Sequence, residues 1–272
     1  MSHPSPFISI NEINPNDQIL DCRFQLSTDG ANDGAGFQLY LEGHIPTAQY
    51  VHLNRQLSGP VATDTRGRHP GGRHPLPQIA DWATTLEALG LTKNKRVVVY
   101  DQAAPMFAAR AWWMLSQSGF HVVVLDGGFN AWRDAGEPIE LGETASAPTS
   151  TPEKLNFEWN TLYAHDLQSL DAPLVDARAP ERFAGLTEPL DPVAGHIEGA
   201  INRPFMDNFS NGKLREESEL RADWGNLLTC DDVVHYCGSG VTACVNLLVV
   251  THLGASHRLY NGSWSDWCSQ LN

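Results

Sequence analysis

The sequence predicts an α/β protein of two tandem domains, each a doubly wound parallel sheet with helices on both faces. Short runs of β-branched residues, at 96–100 and 121–125, have the length and continuous apolar character of buried parallel strands. Helical stretches alternate with them, at 78–89, 108–117 and 243–253. This alternation is typical of doubly wound sheets, which bind ligands beyond the carboxyl ends of their strands.

An internal duplication predicts that the two domains are related. Four short motifs occur in the first half and recur in the same order, at similar spacing, in the second. They are Asp-x-Arg (21–23 and 176–178), Gly-His-Ile (43–45 and 195–197), an apolar run with the residue after it (97–101 and 233–237) and a glycine turn that ends in tryptophan (126–132 and 261–267). Because the first two motifs recur in both halves, we expect their side chains to be structural.

The same duplication sets the expected domain boundaries. We expect a first domain at 1–140 and a second at 154–272. A linker is expected at 141–153, which is rich in Ser, Thr, Ala and Pro and has no apolar periodicity.

Composition limits the classes of function that the chain can serve. The 272 residues carry a formal charge of −14, which argues against a nucleic-acid partner, because phosphate binding needs clustered Lys and Arg. No apolar run reaches the roughly 18 residues of a membrane span, and the N-terminus lacks a signal-peptide pattern. The five cysteines have neither disulfide nor zinc spacing, so we expect a cytoplasmic, reducing location and no metal or cofactor.

The chemistry is expected at a short loop that starts at Cys237. A β-rich run at 232–236 leads into the loop and a helical run at 243–253 leads out, so backbone N–H groups would surround an anion there. The residues that can present an N–H group to the sulfur are Gly238, Ser239, Gly240, Val241 and Thr242. Such a setting stabilises a thiolate, which is the reactive form of cysteine. The alternative is that Cys237 is a buried core cysteine after a strand.

The motif Cys-Gly-Ser-Gly-Val-Thr at 237–242 resembles the active loop of the rhodanese superfamily, and within it that of the 3-mercaptopyruvate sulfurtransferases. The resemblance implies two rhodanese-like domains that move sulfane sulfur from 3-mercaptopyruvate to a thiol or cyanide through a Cys237 persulfide. It also implies a small-molecule donor, and an acceptor such as thioredoxin or a small thiol. Thiosulfate is the alternative donor. The alternative of another class is a non-catalytic sulfur carrier or interaction module.

The equivalent loop of the first domain, at 101–106, differs in its chemistry. It has Asp101 in place of Cys237, and Ala, Pro and Met in place of the glycines. Without a thiol it cannot form a persulfide, and the resemblance implies a catalytically silent domain that supplies part of the cleft wall. A phosphatase on the same fold is excluded, because its Cys-x5-Arg loop needs arginine where this chain has Ala243.

Proton transfer is expected from hydroxyl groups and one histidine. Ser239 and Thr242 could donate to the thiolate or shuttle a proton, although Thr242 could also serve as a helix N-cap. The resemblance assigns proton transfer at the interdomain cleft to His74, in the Gly-Arg-His-Pro-Leu-Pro segment at 72–77. The family's acidic partner corresponds to His52, so we expect an incomplete Ser–His–Asp relay.

Arginine is expected to bind the donor, because its planar fork matches a carboxylate. The segment at 176–183 resembles the family's Asp-x-Arg…Arg-Phe motif, in which the second arginine, here Arg182, faces the donor. The family's further arginine is missing from 188–194, and Arg73, within a basic stretch at 66–77, is the candidate replacement. The alternatives are a solvated Arg182 and a mobile, solvated loop at 66–77.

Overall fold

Two parallel five-stranded sheets form the framework of the protein in a computed structural model. The structure describes residues 4–26, 33–64, 68–145, 148 and 155–271. The strands of the first sheet are β1 (Phe7–Ile8), β2 (Gln18–Asp21), β3 (Gln49–Tyr50), β4 (Val97–Tyr100) and β5 (Val122–Leu125). Those of the second are β6 (Thr161–Leu162), β7 (Leu174–Asp176), β8 (Ile201–Asn202), β11 (Val234–Tyr236) and β12 (Arg258–Tyr260). Along the chain between β8 and β11, the strands β9 (Phe209–Ser210) and β10 (Lys213–Leu214) form an antiparallel hairpin.

Helices alternate with the strands in both halves. In the first half they are α1 (Ala35–Glu42), α2 (Ile79–Ala88), α3 (Ala108–Gln117) and α4 (Gly128–Asp134). In the second they are α5 (Pro180–Phe183), α6 (Glu217–Trp224), α7 (Ala243–His252) and α8 (Ser263–Ser269). The predicted helices at 78–89, 108–117 and 243–253 are therefore confirmed to within one residue at each end. Across the described ranges, no helix combines the length and apolarity that a membrane crossing needs.

The two sheets have the same strand order, as the duplication predicts. The orders are β1-β5-β4-β2-β3 and β6-β12-β11-β7-β8, and all these pairings are parallel. The central strands β4 and β11 end at Tyr100 and Tyr236, so Asp101 and Cys237 leave the two sheets at equivalent carboxyl edges. The predicted pair of parallel-sheet domains is confirmed.

Alternation along the strands divides each sheet between two cores. In β4, Val97 and Val99 face a core that extends through both domains, whereas Val98 faces a core of the first domain alone. The shared core packs α3 against α7. Trp113 of α3 stacks on Trp159 of the second domain with ring centroids 5.8 Å apart. This continuous apolar contact packs α7, the helix that follows the Cys237 loop, against the first domain.

The repeated Asp-x-Arg motif forms a buried ion pair in each domain. Arg23 Nη2 donates to Asp21 Oδ2 at 2.6 Å and to the glycine carbonyl of the first Gly-His-Ile motif at 2.6 Å. Arg178 repeats both contacts, with Asp176 at 2.7 Å and with the second Gly-His-Ile motif at 2.6 Å. The structural role predicted for the Asp-x-Arg motif is therefore confirmed.

The predicted linker at 141–153 lies partly outside the described residues, which omit 146–147 and 149–154. Its beginning is attached to the first domain, because Thr144 Oγ1 lies 2.9 Å from His44 Nε2. The boundaries at 140 and 154 stay a prediction.

A buried histidine of the second sheet, paired with a half-buried one, predicts sensitivity to acid. His235 is 0% exposed, and its Nε2 lies 2.8 Å from His257 Nδ1. Burial lowers the pKa of His235 well below its usual value, so the folded protein keeps it neutral while the unfolded chain takes up a proton below about pH 6.5. The free energy of unfolding should fall as the pH drops below about 6.5, by up to about 1.4 kcal/mol per pH unit for this group.

Thermal unfolding of wild type and His235→Gln between about pH 7.5 and pH 5 measures this contribution. The variant should show a shallower loss of Tm with acid than wild type. His121→Gln is the control, because His121 is exposed. Equal slopes for wild type and His235→Gln would contradict the prediction.

Candidate active site

The Cys237 loop lies at the carboxyl end of β11, between this strand and α7. The N–H of Cys237 donates to Ser263 Oγ at 3.1 Å, and its carbonyl accepts the N–H of Trp264 at 3.0 Å. Gly240 has a φ of +76°, and an added β-carbon there would lie 2.2 Å from the Asn261 carbonyl oxygen. This turn therefore requires glycine.

The fold leaves the N–H groups of the loop without partners. Within the part of the chain that the structure describes, no N–H of residues 238–242 donates to a protein acceptor. Free donors next to a helix N-terminus stabilise an anion. Cys237 itself is only 2% exposed, but its neighbour Ser239 lines a cavity between the domains. The thiol is therefore buried, as the core-cysteine alternative holds, and it also lies two residues from that cavity.

A chain of hydrogen bonds connects the loop to the first domain. Ser239 Oγ lies 2.7 Å from His74 Nδ1, and His74 Nε2 lies 3.2 Å from Asn54 Oδ1. Asn54 Nδ2 in turn donates to Asp33 Oδ1 at 2.7 Å. The structure thus brings His74 to the loop, as expected. The position assigned to His52 is wrong: Asn54 contacts the ring, while His52 Nε2 binds the Asp33 carbonyl oxygen at 2.9 Å.

This chain also fixes which nitrogen of His74 carries the proton. The Asp33 carboxylate accepts the Asn54 NH₂ group, which leaves the Asn54 amide oxygen to face His74. That oxygen needs a donor, so the proton is assigned to Nε2, and Nδ1 accepts from the Ser239 hydroxyl. Burial and two nearby arginines lower the pKa of His74 to about 3. The ring is therefore neutral near pH 7, with the lone pair of Nδ1 directed at the Ser239 hydroxyl.

Two arginines from different domains lie against Gly238. An added β-carbon at Gly238 would lie 3.2 Å from Arg73 Nη2 and 3.3 Å from Arg182 Nη2. Burial and the charge of Arg182 lower the pKa of Arg73. Their side chains are 28% and 19% exposed, so neither is freely solvated. The first two residues of the basic stretch at 66–77 lie outside the described residues.

The segment at 188–194 supplies carboxylates where the family has an arginine. Glu188 Oε1 accepts Arg182 Nη2 at 2.7 Å. Asp191 binds Arg73, and its other oxygen lies 3.6 Å from Arg182. Both carboxylates are almost fully buried. The two arginines at the loop are therefore balanced by two acids of the protein itself.

A cavity of about 510 Å³ opens between the domains beside these groups, and it is large enough for a small keto acid. Its polar lining consists of Gln25, Asp33, Asn54, Ser58, Arg73, His74 and Ser239. Its apolar lining consists of Phe24, Leu26, Pro60, Val61, Pro189 and Leu190.

The remaining loop residues have distinct surroundings. Thr242 occupies the N-cap position of α7, as the alternative holds, but its side chain makes no capping hydrogen bond. Val241 is buried in the shared core. The catalytic role of Thr242 and the binding roles of Gly238, Gly240 and Val241 stay predictions.

The equivalent loop of the first domain carries its own anion. Asp101 Oδ2 accepts the N–H groups of Phe107 at 2.6 Å and Ala108 at 2.8 Å. Burial raises the pKa of Asp101 to about 7, against these hydrogen bonds. The donors at the start of α3 are thus occupied by a side chain of the protein, whereas those of residues 238–242 are available.

Two long segments of the chain match one family model. A rhodanese-like domain matches residues 10–135 and again residues 160–270. The chain belongs to the rhodanese family. This rhodanese is 43% identical over 260 residues to the "Probable 3-mercaptopyruvate sulfurtransferase" of Pseudomonas aeruginosa, covering 92% of this chain and 88% of the relative.

Two further comparisons agree on the family and differ in the donor that they name. A Mycobacterium tuberculosis protein named as thiosulfate sulfurtransferase SseB is 38% identical over 263 residues, covering 92% of this chain and 87% of the relative. The solved 3-mercaptopyruvate sulfurtransferase of Leishmania major superposes with a TM-score of 0.83 at 34% identity, covering 98% of this rhodanese and 75% of that chain. The resemblance stated from the loop motif is confirmed.

The sequence did not predict several residues of the site. Asn54 and Asp33 were missed because no local pattern marks them, and Glu188 and Asp191 because the segment was noted only for its lack of arginine. One signal was present for Asn54: it follows the carboxyl end of β3, which is the edge where sheets of this class place polar site residues.

Proposed function

We propose that this rhodanese is a sulfurtransferase that moves sulfane sulfur from 3-mercaptopyruvate, through a persulfide on Cys237, to a thiol or cyanide. The observation that carries the proposal is the loop itself. The N–H groups of residues 238–242 have no acceptor in the described protein, and Arg73, Arg182 and the Ser239–His74 pair border them. Such donors suit the outer sulfur of a persulfide, which is present only after loading.

In the first half-reaction the Cys237 thiolate attacks the sulfur of 3-mercaptopyruvate. A sulfur–sulfur bond forms and the donor's carbon–sulfur bond breaks, so its electron pair leaves on carbon as the enolate of pyruvate. The donor's thiol proton passes to the Ser239–His74 pair, in which neutral His74 is the base, and returns to the enolate carbon. Arg73 and Arg182 hold the donor carboxylate during this step.

In the second half-reaction an acceptor thiolate attacks the outer sulfur of the Cys237 persulfide. The sulfur–sulfur bond of the enzyme breaks, the acceptor becomes a persulfide, and Cys237 is released as a thiolate. With cyanide as the acceptor the product is thiocyanate. The cavity between the domains leaves room for a small acceptor once pyruvate has departed.

The charges around the loop favour a monoanionic donor. Glu188 and Asp191 offset the two arginines that border Gly238, so this pair brings little net positive charge with which to hold a dianion such as thiosulfate. Steady-state rates with each donor, at a fixed cyanide concentration, test this preference. We expect the larger kcat/KM with 3-mercaptopyruvate, and a larger value with thiosulfate would overturn the choice of donor.

Loading of sulfur distinguishes an enzyme from an inert interaction module. Incubation with 3-mercaptopyruvate should add about 32 Da, the mass of one sulfur atom, to the peptide that contains Cys237. We propose that the first domain stays unloaded, because Asp101 offers no thiol. An unmodified protein that also shows no turnover would favour the interaction module.

Replacing Arg182 with alanine should raise the KM for 3-mercaptopyruvate about tenfold to a hundredfold, because one charge-assisted contact with the donor is lost. The kcat should change much less, since the contact is made in the ground state and the transition state alike. Glu188 keeps Arg178 as a partner at 3.2 Å, so the variant should fold. Arg221→Ala, at an exposed arginine on α6, is the control. An unchanged KM would remove Arg182 from the site.

We propose a cytoplasmic, reducing location, with thioredoxin or a small thiol as the acceptor. All five cysteines lie in the described ranges, and each is free. Free cysteines are typical of proteins kept in a reducing compartment, where such thiols are abundant.

A further inference from the structure

Arg110 is a buried cation that the sulfur-transfer steps above do not use. It lies on α3 of the first domain and is 0% exposed. Its guanidinium donates to the Gly240 carbonyl at 3.1 Å, and to the His74 carbonyl at 3.2 Å. It also donates to the Leu57 carbonyl at 3.2 Å and to Asn261 Oδ1. One side chain of the first domain thus joins the Cys237 loop to the segment that carries His74.

The partners of Arg110 are neutral: the oxygens above and the thiol of Cys244. Among the residues with described positions, no Asp or Glu forms an ion pair with Arg110. Burial of a cation without a counter-anion is costly. Burial lowers the pKa of Arg110, and the sulfurs of Cys244 and Cys237 act in the opposite direction. Burial raises the pKa of Cys244 to about 12, so its thiol stays neutral. The loop that Arg110 reaches through the Gly240 carbonyl, at 3.1 Å, is therefore where an anion would meet this charge.

The duplication shows that this charge is not a general requirement of the fold. Asp101 and Cys237 hold equivalent places after the central strands, and counting onward from each makes Asn246 the counterpart of Arg110. Asn246 is equally buried but neutral, and it hydrogen bonds to Asn208 and to the Arg203 carbonyl of its own domain. The buried charge is therefore found on α3, which reaches the Cys237 loop, and is absent from the equivalent position of α7.

We propose that Arg110 is a positioning residue through which the first domain serves the reaction. It supplies the positive charge that stabilises the Cys237 thiolate and persulfide. It also connects Gly240 to the His74 segment, so that the Ser239 hydroxyl stays within hydrogen-bond distance of His74. The persulfide part of this inference rests on the proposed function. The thiolate part does not, because it needs no sulfur donor.

Two substitutions separate the charge of Arg110 from its contacts. Arg110→Met removes both, whereas Asn261→Asp keeps the hydrogen bond from Arg110 to residue 261, gives up the 3.4 Å contact of Asn261 Nδ2 with the His74 carbonyl, and adds a fixed counter-anion. In each variant the rate of Cys237 alkylation by iodoacetamide at about pH 7, followed by peptide mass, should fall about tenfold, and its pH profile should move to higher pH. Arg110→Lys should recover most of the wild-type rate, since it restores the charge without the four-way contact.

A matched control and a second readout exclude a purely structural role. Arg96→Met removes a first-domain arginine that pairs with Asp17, and it should leave the alkylation profile unchanged. With 3-mercaptopyruvate, Arg110→Lys should lower kcat more than it raises KM, because Ser239 and His74 lose their register. If Arg110→Met does not fold, Asn261→Asp decides, and a wild-type alkylation profile in that variant would overturn the inference. A shifted profile in a protein that no donor loads would contradict the proposed function and leave Arg110 as the support of the thiolate.

Discussion

Replacing Cys237 with serine is expected to abolish persulfide formation and to lower turnover by more than about 10⁴-fold, because a hydroxyl is not ionised near neutral pH and cannot carry sulfane sulfur. The fold should survive. The substitution changes one atom of the side chain, and the contacts of Cys237 with Ser263 and Trp264 are made by its backbone. Steady-state kinetics and the intact mass after incubation with donor measure the two effects, and thermal unfolding checks the fold.

Cys230→Ser is the matched control for this loss. Cys230 lies in the same domain, is half-buried, and precedes β11 rather than following it. It should retain wild-type turnover and take up one sulfur on Cys237. More than a trace of activity in Cys237→Ser would refute the assignment of the nucleophile.

Local pattern was enough to predict the regular elements. The continuous apolar runs that became β4 and β5, and the helical stretches that became α2, α3 and α7, are each long enough to be recognised from composition and length. The duplication then gave the number of domains. The hairpin of β9 and β10, and the strands β3 and β8, have two residues each, and so short an element leaves no periodic signal.

Local sequence patterns did not predict which side chains of distant segments make contact. Motifs placed Arg182 and His74 near the loop, and the structure brings both there. The sequence assigns the partner of His74 to His52, but the chain enters a turn beyond β3, where strand alternation no longer decides which side chain faces the ring, and Asn54 is the one that does. A one-dimensional pattern does not record which of two nearby polar side chains makes such a contact.

The missing arginine shows why the charge of a site cannot be read from one segment. From the sequence, 188–194 was a lost carboxylate contact. In the structure the same segment carries Glu188 and Asp191, which bind Arg182 and Arg73 from outside it. The segment therefore lowers the net charge of the site twice, by lacking a cation and by adding two anions. This is the physical reason for preferring a monoanionic donor to a dianionic one.

Replacing Ser239 with alanine should lower kcat by about 10²- to 10⁴-fold and leave KM nearly unchanged, because the hydroxyl carries a proton to and from the reacting donor rather than binding it. The 2.7 Å contact with His74 Nδ1 is the structural basis of this expectation. Ser58→Ala is the control, since Ser58 lines the same cavity and its buried hydroxyl has no hydrogen-bond partner among the described residues. A Ser239→Ala enzyme within about threefold of wild type would exclude the relay.

The pH dependence of kcat/KM tests His74, the neutral partner of Ser239. With the pKa of His74 lowered to about 3, the ring stays neutral above about pH 4, so its protonation should not limit wild-type turnover there. Asn54→Asp in an Asp33→Asn background places an anion 3.2 Å from His74 Nε2 and keeps the hydrogen bond between residues 33 and 54 with its direction reversed. It should raise that pKa, because the imidazolium gains a counter-charge. As the pH falls, the variant should lose kcat/KM between about pH 7 and pH 5, where wild type should not. Identical acid limbs in wild type and in the variant with Asp33→Asn and Asn54→Asp would show that His74 does not act as the base.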